Sequence, residues 1–131
     1  MLLVLPVSLI EAPFAELFTV TTSPVVLFLI SFLIVGLGEE GAKSLLLYKL
    51  HINDIEVNEA VDPLIYGIAI GLGFATAENL FYTIIYGYQT GIYRAVITTL
   101  AHASFTGFFG YYFAKYLFQN KNKIYLIKGL I

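Results

Sequence analysis

Gly36-Leu37-Gly38-Glu39-Glu40-Gly41-Ala42-Lys43 places two adjacent carboxylates and a lysine inside a run that is otherwise almost wholly apolar. Pro24 to Val35 carries no charge, and Leu45, Leu46 and Leu47 resume the apolar pattern downstream. An ionisable group at bilayer depth costs about 2.5–3.5 kcal/mol on insertion scales. A helix that keeps two carboxylates and an ammonium this close together needs a reason. At membrane depth the default reason is function.

Composition says that the surrounding medium is a bilayer. The chain has 131 residues, 59% hydrophobic and only 12% charged, with a mean hydropathy of +0.84. A soluble domain is nearer 45–50% apolar and about 25% charged. Its length suits about four spanning helices of roughly 20 residues each. The net charge of −2 says little about partners, and no basic cluster forms a nucleic-acid footprint. With no cysteine, disulfides, thiolate chemistry and Cys-ligated metal are excluded. Any metal site must use His, Asp or Glu. No positive n-region precedes the first apolar run, so Met1 onward is expected to be mature chain.

Four helices are expected, over about 2–18, 24–50, 63–88 and 92–118, within one transmembrane domain. The first is short and interrupted by Glu11, Pro13 and Glu16. Ser23 is the expected N-cap of the second, with Pro24 in its first position. Residues 51–62 form the one clearly polar loop, closed by Asp62-Pro63 as cap and first residue of the third helix. In that helix Gly67, Gly71 and Ala75 fall on one line, and Ala69, Gly73 and Ala77 on the next. In lipid such small-residue lines let backbones approach closely. Gln89-Thr90-Gly91 is the expected turn into the fourth helix, and Ile124–Ile131 reads as the beginning of a fifth. The fold class is therefore an all-α polytopic membrane protein. Tyr48, Tyr88, Tyr93 and Tyr116 mark helix ends, as interfacial aromatics do. Lys49, Lys115, Lys121, Lys123 and Lys128 lie towards one face and Arg94 towards the other, so the 51–62 loop and the C-terminus are expected in the cytoplasm.

Three of the helices carry an ionisable group at middle depth. Glu39 lies roughly 16 Å from the cytoplasmic face, and Glu78 and His102 roughly 24 Å, at 1.5 Å per residue. Isolated buried charges are expensive, while groups that share a site, a metal or a water pocket are tolerated. Lys43 follows Glu39 by four residues and Glu40 by three, so it can pair with either. The two glutamates point about 100° apart on a helix of 3.6 residues per turn. Glu39 is therefore assigned to the site, and Glu40 to pairing with Lys43 or to support. Phe74 precedes Glu78 by four residues and can wall its carboxylate. Thr106 follows His102 by four and can hydrogen-bond a substrate or water near the imidazole. Glu39, Glu78 and His102 form a hard-to-borderline ligand set suited to zinc, and the same groups without metal can act as acid and base. Plainer readings stand beside these. Glu40–Lys43 alone is a common structural ion pair, a lone membrane His is often a packing residue, and Glu78-Asn79 is a candidate polar clamp between helices.

Glu39-Glu40-x-x-Lys43, Gly71-Leu72-Gly73-Phe74-Ala75-x-x-Glu78-Asn79-x-x-Tyr82 and His102-Ala103-x-Phe105-Thr106-x-x-x-Gly110, preceded by Asp62-x-x-x-Tyr66-Gly67, together resemble the PrsW family of intramembrane proteases. That family shares a superfamily with the type II CAAX prenyl endopeptidases and the Aph scaffold subunit of gamma-secretase. The resemblance covers about Ile34 to Tyr112. It implies metal-dependent cleavage of membrane-embedded or membrane-near substrates, such as anti-sigma factors. It implies that Glu39, with Glu40, acts on the catalytic water, that Glu78 stands where CAAX-type relatives have a His, and that His102 is a ligand or orients water. Family members usually continue into a further helix with His-x-x-x-Asn/Asp. Here the only other histidine is His51, in the loop, so a fragment or a reduced homologue is expected. Two alternatives remain open at this point: an inactive scaffold of the same superfamily, and a small proton-coupled transporter using Glu39, Glu78 and His102 as a relay.

Overall fold

A computed structural model of the chain describes Val4, residues 16–20 and residues 23–131. Apart from Val4 and residues 16–18, the first expected helix, including Glu11 and Pro13, lies outside the described residues. Leu17–Val20 forms a single helical turn. The long elements are α1 (Pro24–His51), α2 (Asp62–Tyr86) and α3 (Tyr88–Lys115). A short α4 (Ile124–Leu130) follows. Every element among the described residues is helical. Of the four spans expected, α1 and α2 are long and apolar enough to cross a membrane. α3 matches them in length at 28 residues, but it carries Arg94, His102, Lys115 and several threonines.

The distribution of side chains is inverted relative to a water-soluble domain. Outside stand Phe28, 66% exposed, Ile84, 71%, and Ile97, 69%. Inside stand Glu39, Lys43, Ser44, Asn79, His102 and Thr106. Residues 24–36 bury nothing among them. An apolar exterior around a polar interior is what a lipid solvent selects, because the polar groups must then satisfy one another.

α2 and α3 form the backbone-to-backbone core. Ser23 is extended and Pro24 opens α1, as the sequence predicts. The turn between α2 and α3 is tighter than expected. It is made by Gly87 alone, at φ 89° and ψ 165°, a conformation open mainly to glycine. Gly91, expected in the turn, lies inside α3, and a Cβ there would strike the Thr83 side chain. Gly71 sits against the His102 carbonyl, Gly67 against that of Thr106, and Gly110 against that of Pro63. The line Gly67–Gly71–Ala75 is therefore the packing seam. The second line is not a seam: Ala69 and Gly73 are exposed, nothing stands within 4 Å of a Cβ at Gly73, and only Ala77 touches the apolar cluster of Val4 and Phe74.

A second apolar cluster fixes one end of the bundle. Leu47, Phe109 and Phe113 are buried there against Tyr48, Tyr66, Tyr116 and Leu126. Leu47 brings in α1, Tyr66 brings in α2, and Leu126 brings in α4, which doubles back on α3. Lys121, at φ 52°, makes the reversal, with the Asn120 and Asn122 side chains accepting the N–H groups of Asn122 and Ile124. The loop after α1 is tied locally. The Asp62 carboxylate accepts from the N–H groups of Asn58 and Glu59 at 3.0 and 2.8 Å, closing the loop rather than capping α2. The His51 ring stacks on Tyr66 at 4.3 Å and pairs with Asp54 at 2.9 Å. The Glu56 N–H, with help from His51, holds the Asp54 carboxyl below the ordinary carboxylate range.

Candidate active site

α1 changes its winding just before the polar group. Ser31–Gly36 is a π-helical turn, a feature concentrated at functional sites. The regular helix from Leu37 then presents Glu39, Glu40 and Lys43 to α2 and α3. No residue pattern in the sequence announces the π-turn.

Lys43 is fully buried and lies at the centre. Its ammonium pairs with Glu40, stands 3.8 Å from Glu39 and 2.6 Å from His102 Nδ1, and lies over the Phe74 ring at 4.3 Å. With the ammonium charged, Nδ1 must accept, so the imidazole proton is on Nε2 and is donated to Glu78 Oε2 at 3.1 Å. The two glutamates of α1 both reach the imidazole despite their angular separation. Glu40 Oε1 lies 3.4 Å from Nδ1 and Glu39 Oε2 lies 3.8 Å from it. Three-bond side chains close the gap that the backbone angle opens. Thr106 donates to Glu40 Oε2 at 3.0 Å, so its hydroxyl orients a carboxylate rather than facing a ligand. Phe74 stands ring to ring with the imidazole at 5.3 Å and also walls the lysine.

One group plays a part that sequence alone does not reveal. Arg94 of α3 donates to Glu78 Oε2 at 2.7 Å and to Asn79 Oδ1 at 3.2 Å, and its guanidinium lies over the Tyr82 ring at 3.7 Å. Asn79 completes a clamp between α2 and α3. Its amide donates to Thr99 at 3.0 Å and its oxygen accepts from Thr98 at 3.0 Å. The available signal is the line Arg94, Thr98, His102, Thr106, Gly110, one polar or small residue every four positions along α3. It puts Arg94 on the same ridge as His102.

Ligand atoms of Glu39, Glu78 and His102 lie within 4.8 Å of one another. Three carboxylates face two cations, Lys43 and Arg94, so with a neutral imidazole one negative charge is left over. In a medium of low dielectric that imbalance favours a further cation. Two carboxylates and an imidazole are also donors that a divalent metal accepts. The residues present therefore fit a metal. Beside them a cavity of about 270 Å³ opens on Glu39, Glu40 and His102, walled by Phe32, Leu37, Phe105 and Phe108.

The fold and the site define a helical membrane protein with a carboxylate–imidazole centre buried between three helices. The family model for PrsW family intramembrane metalloproteases matches residues 1–131, and the chain belongs to that family. A Protease PrsW from Clostridioides difficile (strain 630) is 43% identical over 99 residues, covering 72% of this chain and 42% of the relative. A Protease PrsW from Shouchella clausii (strain KSM-K16) is 37% identical over 132 residues, covering 99% of this chain and 59% of the relative. One from Bacillus subtilis (strain 168) is 34% identical over 92 residues, covering 70% and 42%. The chain spans about half the length of the curated relatives it matches. No solved structure matches it.

Proposed function

We propose that the chain carries the catalytic centre of an intramembrane metalloendopeptidase acting on membrane-embedded or membrane-near protein segments, an anti-sigma-factor-like protein among them. The observation that supports this most is the meeting of Glu39, Glu78 and His102, from three helices, within 4.8 Å. These three would hold a divalent ion, which we take to be zinc from the mixed oxygen and nitrogen donors. When bound, such an ion polarises a peptide carbonyl and lowers the pKa of water.

The chain's own groups do the rest. Glu39 takes a proton from the attacking water and returns it to the leaving peptide nitrogen. Glu40, fixed by Lys43 and Thr106, assists as a second acceptor. Until an ion binds, Glu78 accepts from His102 Nε2 and so sets the ring plane; in the loaded site that nitrogen would give up its proton and turn to the ion. The aromatic walls of the cavity keep bulk water off the carboxylates, so electrostatic effects act at low dielectric. The apolar lining also suits the side chains of a substrate's membrane segment. We further take the chain to be multi-pass, with four spans, the 51–62 loop and the C-terminus being cytoplasmic.

The test is cleavage of a membrane-anchored substrate in cells expressing the protein with and without substitutions at these residues. Glu39→Ala and His102→Ala are expected to lower turnover about 10²–10⁴-fold, with unchanged protein level. Unchanged turnover in either variant sinks the assignment.

A further inference from the structure

Glu78 Oε2 receives two hydrogen bonds, from His102 at 3.1 Å and Arg94 at 2.7 Å. Arg94 is itself held at three points, all on α2: Glu78, Asn79 and the face of Tyr82. Asn79 is fixed in turn by Thr98 and Thr99 of α3. The guanidinium is therefore a rigid fork, with its position set before any ligand arrives. It is absent from the lining of the cavity.

We propose that Arg94 is a positioning residue that fixes one oxygen of Glu78 on His102 and thereby sets the orientation of the imidazole. This rests on the peptidase reading for its effect on turnover, though not for its effect on the ring. Without the fork, Glu78 is a carboxylate near two others, free to rotate and repelled by them. The Nε2–H of His102 then loses its fixed acceptor. Outer partners of this kind are worth about 10–100-fold in activity. A lysine supplies the charge but neither the second donor to Asn79 nor the flat face for Tyr82. Arg94→Lys should therefore rescue only in part.

Two measurements on the full chain in micelles decide it. The chain has two histidines, so in a His51→Gln background ¹⁵N-histidine labelling reports His102 alone. A slowly exchanging Nε2–H resonance is expected in that background. It should be lost in Arg94→Gln, weakened but still present in Arg94→Lys, and weakened in Tyr82→Leu, which removes the platform without touching Glu78. In parallel, kcat of Arg94→Gln should fall about 10–100-fold with KM held within about twofold, since the substrate cavity is elsewhere. Resonances unchanged by Arg94→Gln and by Tyr82→Leu overturn the proposal. So does a loss of folded protein with kcat per folded molecule unchanged. If the parent chain cleaves nothing, the peptidase reading fails, while the expected resonance pattern still supports the role of Arg94.

Discussion

Glu39 and Glu40 are neighbours in sequence, yet both carboxylates end near one imidazole nitrogen, at 3.8 and 3.4 Å. Their presence at a site was legible in the sequence, because charge inside an apolar helix demands partners. The division of labour between them was not, because backbone angles say little about where a three-bond side chain ends. Lys43 makes the same point more sharply. Spacing shows that it can reach Glu40 but not that it also abuts His102 and Phe74. Removing one partner of a buried charge pair strands the other, at about 3–5 kcal/mol. Lys43→Met leaves Glu39 and Glu40 uncompensated, so the protein should lose roughly that much stability in a reversible unfolding titration. The double variant Lys43→Met/Glu40→Gln should recover part of it. Wild-type stability in Lys43→Met would show that the ammonium is not the centre of the cluster.

Among elements, the hairpin of α2 and α3 carries the geometry. It was readable because glycine lines in lipid mean close approach, and Asn79 was readable as a clamp. Which of two lines formed the seam was not readable, since both are made of glycine and alanine at the same spacing. Only the partner helix distinguishes them. The distinction is measurable. A Cβ at Gly71 would collide with the His102 carbonyl, and overpacking a close contact costs about 1–3 kcal/mol. Gly71→Ala should destabilise the protein by that order and also lower turnover, because the displaced backbone carries His102. Gly73→Ala faces open space and should be neutral or mildly stabilising, alanine being the better helix former by about 1 kcal/mol. Equal effects at the two positions, read by thermal unfolding, would contradict the seam. The π-turn of Ser31–Gly36 and the turn at Gly87 escaped the sequence for a related reason. Each depends on how neighbouring helices must be offset, not on local preference.

At the scale of the whole molecule, an apolar exterior encloses a polar centre in which three carboxylates face two cations and an imidazole. The inversion was plain from composition, because 12% charged residues cannot coat a water-soluble surface. The Leu47, Phe109 and Phe113 cluster joins the end of α1, the start of α2 and the end of α3, which puts the 51–62 loop and the 116–123 segment at one end of the bundle. Reporter fusions within that loop and within the 116–123 segment should therefore report the same compartment, which is the cytoplasm under the proposed topology. Fusions reporting opposite compartments would break the topology. Under the proposed function Glu39, Glu78 and His102 act together through a divalent ion, and that joint action is open to measurement. It is tested most directly by chelation and add-back on the purified protease in liposomes with a membrane-spanning reporter peptide. Chelator should abolish cleavage, zinc should restore it, and Glu78→Gln should not be restored at the same zinc concentration. Cleavage that persists in chelator and in Glu78→Gln would contradict it.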